Sequence, residues 1–235
     1  MTVNILGLIP ARGGSKAIPR KNVAELAGKP LIAYTCAAAL DSQGLTRVIL
    51  NTDDPEIADV GRACGVDVPF MRPEELAEDD TPILPVIQHA LIWLQEQQNF
   101  LVDIVVLLQP TSPLRRAEHI DSAIDLLMKS GADTVVSVVA VPHNFNPVSV
   151  MHLNLQGNLI PFEAGPTILR RQDKPRVFAR NGPAVLAVRR ETIECDRLYG
   201  NVVLPLEMGR IESLDIDDAD DLALAEFWLE RLSEK

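Results

Sequence analysis

The chain has 235 residues, 47% of them hydrophobic and 23% charged, with a formal net charge of −11. At roughly 100–200 residues per domain this suits one domain with a large core, spanning 1–235, and two full domains would be cramped. No window reaches the roughly 18 consecutive apolar residues that cross a bilayer, and residues 2–10 lack the basic start and small-residue cleavage site of a secretory signal, so a cytoplasmic protein without a membrane partner is expected.

Taken in chain order, residues 3–9 form a short apolar run ending in Pro10, the pattern of a strand buried on both faces of a parallel sheet. An Ala-rich helix is predicted over 30–40, with Pro30 where a first turn tolerates it. A strand follows at 47–51, a helix at 55–64 and another at about 81–98. In that helix Ile83, Val86, Ile87, Ala90, Leu91 and Leu94 share one face. A third strand at 103–108, a helix near 117–130 and a strand at 134–141 continue the alternation. Strands separated by helices of this length indicate βαβ units, and so an α/β fold around a mostly parallel sheet. The rhythm breaks over about 142–175, where Pro, Asn, Gly and His are frequent and 148–160 reads as a hairpin around Gln156, Gly157 and Asn158. Such an excursion serves an interface or covers a site. Strands near 184–188 and 202–206 and a final helix over about 218–232 complete the chain.

Cys36, Cys64 and Cys195 are far apart and odd in number, which signals neither a disulfide framework nor a zinc site. The acidic balance argues against a nucleic-acid partner. It conceals two basic islands: residues 1–35 hold five basic side chains against one acidic, and residues 167–190 hold seven against one. Basic islands on an acidic protein point to a small polyanion.

Directly after the first strand stands Pro10-Ala11-Arg12-Gly13-Gly14-Ser15-Lys16, followed by Lys21-Asn22. Glycines let a loop bring backbone N–H groups onto one anion, and Arg12 and Lys16 add charge-assisted donors, so the segment reads as a phosphate cradle. It has neither the Walker A spacing nor the dinucleotide G-x-G-x-x-G. Near the other end, alternation in an extended segment puts Asp215 and Asp217 on one face, where they suit a hard cation. Asp218, Asp220 and Asp221 read instead as the acidic cap of the last helix. The four histidines fall in different segments and support no catalytic assignment.

The opening motif, with Arg72-Pro-Glu-Glu-Leu-Ala, Asp79-Asp80-Thr81, Leu108-Gln-Pro-Thr-Ser-Pro-Leu-Arg115, Arg171-Gln172, Asn181-Gly182 and Asp215-Ile-Asp217, resembles the acylneuraminate cytidylyltransferase family of CMP-sugar synthetases over nearly the whole chain. The resemblance implies a Rossmann-like three-layer nucleotidyltransferase fold with a small extension for dimerisation, working as a homodimer. It implies transfer of CMP from CTP to a nonulosonic, sialic-acid-like keto sugar acid with release of pyrophosphate. By the same resemblance, Ala11, Arg12, Gly13, Ser15, Lys16, Asn22, Arg72, Thr81 and Gln109 hold the nucleotide, and Arg12, Lys16, Lys21 and Asp217 are catalytic. Gln109, Arg171, Asn181 and Tyr199 would bind the sugar acid, and Asp215 and Asp217 would hold Mg2+. The alternatives are transfer to 3-deoxy-D-manno-octulosonate or another small acceptor, and a nucleotide-binding module without catalysis. The departures from the family pattern, Pro183-Ala-Val185 after Asn181-Gly182 and Leu198-Tyr199 for an aromatic pair, all fall on the sugar side. They leave the particular sugar open.

Overall fold

Six consecutive buried residues make β1 (Ile5–Pro10) an interior strand of the sheet, covered on both faces. The computed structural model describes residues 3–15, 17–163, 165, 168 and 170–233. After β1 comes a small ribbon, β2 (Glu25–Leu26) and β3 (Lys29–Pro30), and then α1 (Leu31–Leu40). β4 (Arg47–Asn51) leads into α2 (Pro55–Ala63), whose N-cap Asp54 accepts from the amides of Glu56 and Ile57 ahead of Pro55. α3 (Ile83–Gln98), β5 (Ile104–Leu107), α4 (Ala117–Ser130) and β6 (Thr134–Ala140) follow the predicted alternation.

The described residues of 142–175 leave the core and carry the hairpin β7 (Met151–Leu153) and β8 (Leu159–Pro161), paired antiparallel across the predicted turn. β9 (Phe178–Arg180), β10 (Leu186–Arg189), α5 (Arg190–Glu194), β11 (Val203–Met208) and α6 (Ala219–Ser233) close the chain. Neither β9 nor α5 is anticipated by the sequence pattern. Both are short, three and five residues, too brief for a periodicity to show.

The main sheet runs β11-β6-β10-β5-β1-β4. β4, β1 and β5 are mutually parallel, β11 is parallel to β6, and β10 enters antiparallel between β5 and β6. Alternation sends Ile5 and Ile9 to one face, with Ile32 and Cys36 of α1, Ile57 of α2 and Ile120, Ile124 and Leu127 of α4. Leu6 and Leu8 go to the other, with Ile87, Leu91 and Leu94 of α3 and Ile193 of α5. Helices therefore cover both faces, the three-layer arrangement expected of a mostly parallel sheet. A smaller cluster of Leu26, Leu31, Ile216 and Ala225 seats α6 on the β2–β3 ribbon.

β9 and β10 are one interrupted strand against β6: Arg180 pairs with Val138 and Leu186 with Val136, so Ser137 alone faces residues 181–185. Buried Asn181 holds this interruption. Its Oδ1 accepts from the Ser137 hydroxyl at 2.6 Å, its Nδ2 donates to Ser213 Oγ at 2.8 Å, and the Val185 amide donates to Ser137 Oγ at 2.9 Å. Asn181→Ala leaves the buried Ser137 hydroxyl without its acceptor, which costs roughly 1–3 kcal/mol. A lower urea midpoint with an unchanged slope is the expected result, and an unshifted midpoint would show that these bonds contribute nothing net.

Candidate active site

The strand order reverses between β1 and β5, and at such a switch point the loops leaving the carboxyl ends part to form a crevice. Here the crevice is a cavity of about 510 Å³ lined by residues from the loop after β1, the segment 72–86, residues 109–111 after β5, and Asp217. Arg12, Ser15, Lys21 and Asn22 line it from the first loop. Asn22 donates from Nδ2 to the Arg12 carbonyl at 2.9 Å, which fixes the curl of the loop. Arg12 forms an ion pair with Asp79 at 2.7 Å across the cavity. Lys21 donates from Nζ to the Ile216 carbonyl at 2.7 Å and stands 3.9 Å from Asp217, tying the loop to the carboxylate segment.

Gly13 and Ala11 are placed differently from their neighbours. The Gly13 amide donates to Asp53 at 3.0 Å, and a Cβ there would come within 2.8 Å of Asp54 Oδ2. Glycine serves that position by allowing close approach to the cap of α2. Ala11 is buried and its amide donates to the Asn51 carbonyl at 3.0 Å. Lys16 lies outside the described residues.

Arg72 is 7% exposed, and its guanidinium is held edge-on by Asn51, with Nε donating to Oδ1 at 2.6 Å and Nη2 to the carbonyl at 2.7 Å. Burial pulls its pKa down to about 10, opposed by the charge of Asp53. It remains a cation at neutral pH, oriented toward the cavity that Thr81 also lines. Gln109 lines this cavity and a second one of about 440 Å³, where it meets Arg180, Pro183, Leu198 and Tyr199.

Arg115 closes the last family-like motif in the middle of the chain and was given no role by sequence reasoning. It is 2% exposed, and its Nη1 donates to the carbonyls of Gln109 at 3.0 Å and Ala184 at 2.8 Å. Burial pulls its pKa down to about 9.

Asp215 and Asp217 flank the fully buried Ile216, whose amide donates to the Thr111 carbonyl at 2.8 Å. Asp215 is half-buried: burial pushes its carboxyl pKa up, hydrogen bonding with the Thr111 side chain pulls it back, and the charge of Asp217 raises it again. Its Oδ1 is buried without a partner. Gly182, at φ 113°, admits this carboxylate, since a Cβ there would lie 3.3 Å from Asp215 Oδ2. Asp217 is exposed on the cavity wall. Among the described residues no three His, Cys, Asp or Glu side chains gather into a metal cage. An orphaned carboxylate oxygen beside a second carboxylate fits Mg2+, which takes one or two carboxylates and completes its shell with water and phosphate oxygens. Asp218 accepts from the amides of Asp220 and Asp221 and caps α6, as its position suggests.

Of the residues assigned to the sugar, Gln109 and Tyr199 meet in the second cavity. Asn181 faces the scaffold with both ends of its amide bonded. Arg171 lines a separate cavity with His143, Lys174, Arg176 and Arg210, apart from both others.

A family model described as cytidylyltransferase matches residues 6–186. A CMP-N,N'-diacetyllegionaminic acid synthase of Legionella pneumophila is 38% identical over 229 residues, covering 97% of this chain and 97% of that protein. A pseudaminic acid cytidylyltransferase of Campylobacter jejuni is 30% identical, covering 94% of each. An N-acylneuraminate cytidylyltransferase of Escherichia coli is 33% identical over 96% of this chain, which spans 52% of that longer relative. Among solved structures, a CMP:2-keto-3-deoxy-manno-octonic acid synthetase complexed with CTP shares the fold at a TM-score of 0.72 and 17% identity, covering 97% of this chain and 99% of that one.

The raised pKa of Asp215 has a stability consequence. A folded-state pKa above the unfolded value means the native protein binds more protons, so stability falls as pH rises through that range. In chelator, Asp215→Asn is expected to raise the thermal midpoint at neutral pH, with the gain shrinking as the pH drops and the wild-type carboxyl is itself neutralised. A midpoint lowered at pH 7 would contradict a destabilising buried carboxylate.

Proposed function

The chain belongs to the cytidylyltransferase family that includes CMP-sugar synthetases, and from that premise we propose that it transfers CMP from CTP to the anomeric hydroxyl of a nonulosonic, sialic-acid-like keto sugar acid. The observation that carries this reading is the pair of adjoining cavities that share Ile83 and Gln109, one rimmed by Arg12, Lys21 and Arg72 and the other walled by leucines beside Arg180 and Tyr199. Two substrates held in such neighbouring spaces meet at the shared wall, where proximity alone removes much of the barrier.

The anomeric oxygen attacks the α-phosphorus, the bond to the bridging oxygen breaks, and pyrophosphate leaves. In this proposal Arg12, Ser15, Lys16 and Lys21 hold the triphosphate, and Asn22 keeps the loop curled around it. Arg72 donates to the cytosine carbonyl from its fixed edge, with Thr81 beside it. Asp215 and Asp217 hold Mg2+, which neutralises charge on the α-phosphate and the departing pyrophosphate when bound. Lys21, anchored on Ile216, keeps the cationic loop in register with the carboxylates.

A homodimer completes the proposal. The excursion exposes Phe145, Leu153, Leu155, Leu159 and Phe162, with Leu153 paired to Leu159 across the hairpin, and a second copy would cover such side chains. Arg171 lies on that excursion and apart from this chain's nucleotide cavity, so a second copy is the way its guanidinium reaches a substrate carboxylate. No helix among the described residues is long and apolar enough to cross a membrane, and a cytoplasmic setting suits an enzyme drawing on CTP.

Pyrophosphate release from CTP and Mg2+ with a panel of nonulosonic acids tests the reading. Release with CTP well above ATP or UTP is expected, and Asp217→Ala is expected to lower kcat by about 100-fold or more while leaving the thermal midpoint nearly unchanged. Release with UTP equal to CTP would overturn the cytosine assignment. Leu153→Asp with Phe162→Asp is expected to halve the mass seen by light scattering, and an undiminished mass would remove the hairpin from the interface.

A further inference from the structure

Nonulosonic acids share the reacting carbon and its carboxylate and differ in substituents farther along the chain. Residues that tell them apart therefore line space beyond the nucleotide. The second cavity is that space. Ile83, Leu107, Pro183, Leu186 and Leu198 form the apolar part of its wall, Gln109, Arg180 and Tyr199 the polar part, and Arg180 is the one basic side chain among the described residues lining it.

Arg180 is preorganised. Its Nη1 donates to the Tyr199 hydroxyl at 3.0 Å, and its guanidinium carbon lies 5.2 Å from the centre of the Tyr199 ring. Stacking and a hydrogen bond fix the plane of the fork, and most of its five N–H donors stay available. Among the described residues no carboxylate pairs with it, unlike Arg12, Arg20, Arg47, Arg176 and Arg190. A fixed guanidinium that no described carboxylate pairs with, set beside leucines in a cavity wall, is a reader of an oxygen acceptor on a ligand.

Two acceptors on such an acid are candidates, the carboxylate and an acyl carbonyl. The carboxylate is bonded to the carbon that bears the attacking hydroxyl, so it stays at the junction marked by Gln109. Arg180 and Tyr199 line the second cavity and not the first. A remote substituent is what they meet. A hydroxyl would leave the leucine wall facing a polar group, whereas an acylamino group offers a carbonyl to the cation and a methyl to the leucines. We propose that Arg180, held by Tyr199, is a specificity-determining residue that donates to the carbonyl oxygen of an acylamino substituent on the acceptor acid, with Leu186 and Leu198 against the acyl methyl. This rests on the reading of the chain as a CMP transferase for nonulosonic acids.

The test compares N-acetylneuraminate with 2-keto-3-deoxynononate, the same skeleton carrying a hydroxyl in place of the acetamido group, and includes N,N'-diacetyllegionaminate. In the wild type kcat/KM favours the acylated acids. Arg180→Ala is expected to lower the ratio of kcat/KM for acylated over hydroxylated acid by roughly 10- to 100-fold, the worth of a hydrogen bond to a charged group, with KM for CTP unchanged. Arg180→Lys keeps the charge without the stacked fork and recovers part of the ratio, and Tyr199→Phe, which keeps the ring, lowers it less than Arg180→Ala. An unchanged ratio in Arg180→Ala, or equal losses on both kinds of acid, overturns the assignment while the CMP transfer stands. Wild-type protein that binds CTP yet releases no pyrophosphate with any of these acids overturns the transfer reading itself, and with it the role given to Arg180.

Discussion

The two halves of the candidate site leave neighbouring strands, the end of β5 and the interrupted strand β9–β10, and the guanidinium of Arg115 ties the segments beyond their pairing by bridging the carbonyls of Gln109 and Ala184. Taking a cation out of water is expensive, and here no carboxylate is paired with it to repay the desolvation. Nε and Nη2 also lack protein partners. The energetic case for keeping an arginine there is thus weak as stability alone, and the case for geometry is strong. Gln109 lines both cavities and Ala184 directly follows Gly182 and Pro183, which line the second, so one rigid fork sets the spacing of the two segments.

That distance matters because β10 enters the sheet antiparallel. In a purely parallel sheet every loop at the carboxyl edge would lead away into a helix. With β10 reversed, its amino end meets the carboxyl end of β5, Leu186 against Leu107, and the preceding segment 181–185 is delivered to the same edge as the phosphate loop. The second cavity exists because of this reversal. Asn181 and Ser137 then hold the interruption open from within, and Gly182 lets Asp215 approach from the far side. Asp217 thus lines the first cavity while Asp215 lies against Gly182, which lines the second, and in the proposed reaction that position would suit charge neutralisation at a transferring phosphoryl group.

The parts of this arrangement that were legible in the sequence are those that burial or spacing writes into residue type. β1 is apolar at nearly every position because both its faces are covered, and α3 shows its stripe because only one is. The alternation of Asp215, Ile216 and Asp217 was readable because a buried isoleucine between two carboxylates has period two. β9 was not readable: three exposed residues carry no pattern, and their pairing with β6 is decided by the chain around them. The surroundings of Arg115 and Asn181 were hidden in different ways. An arginine after a Pro-rich stretch reads as a solvated loop residue, and nothing local says that it is buried. Asn181, assigned to the sugar by its motif, is satisfied by partners 32 and 44 residues away in sequence.

The nucleotide side and the sugar side are also built to different tolerances. Arg72, Asn22 and Lys21 are each held by backbone carbonyls of the strand ends or their loops, so their positions follow from the sheet itself. Arg180, Leu198 and Tyr199 sit instead on a short exposed strand and a turn, and Arg180 is fixed by Tyr199 alone among the described side chains. Arg180 belongs to neither hydrophobic layer of the sheet, and Leu198 and Tyr199 pack only at the margin of the one beneath α3. A scaffold of this kind can exchange one acceptor acid for another while its nucleotide chemistry stays in place, which accounts for departures from the family pattern at residues 183–185 and 198–199 while the phosphate loop and the carboxylate pair keep it.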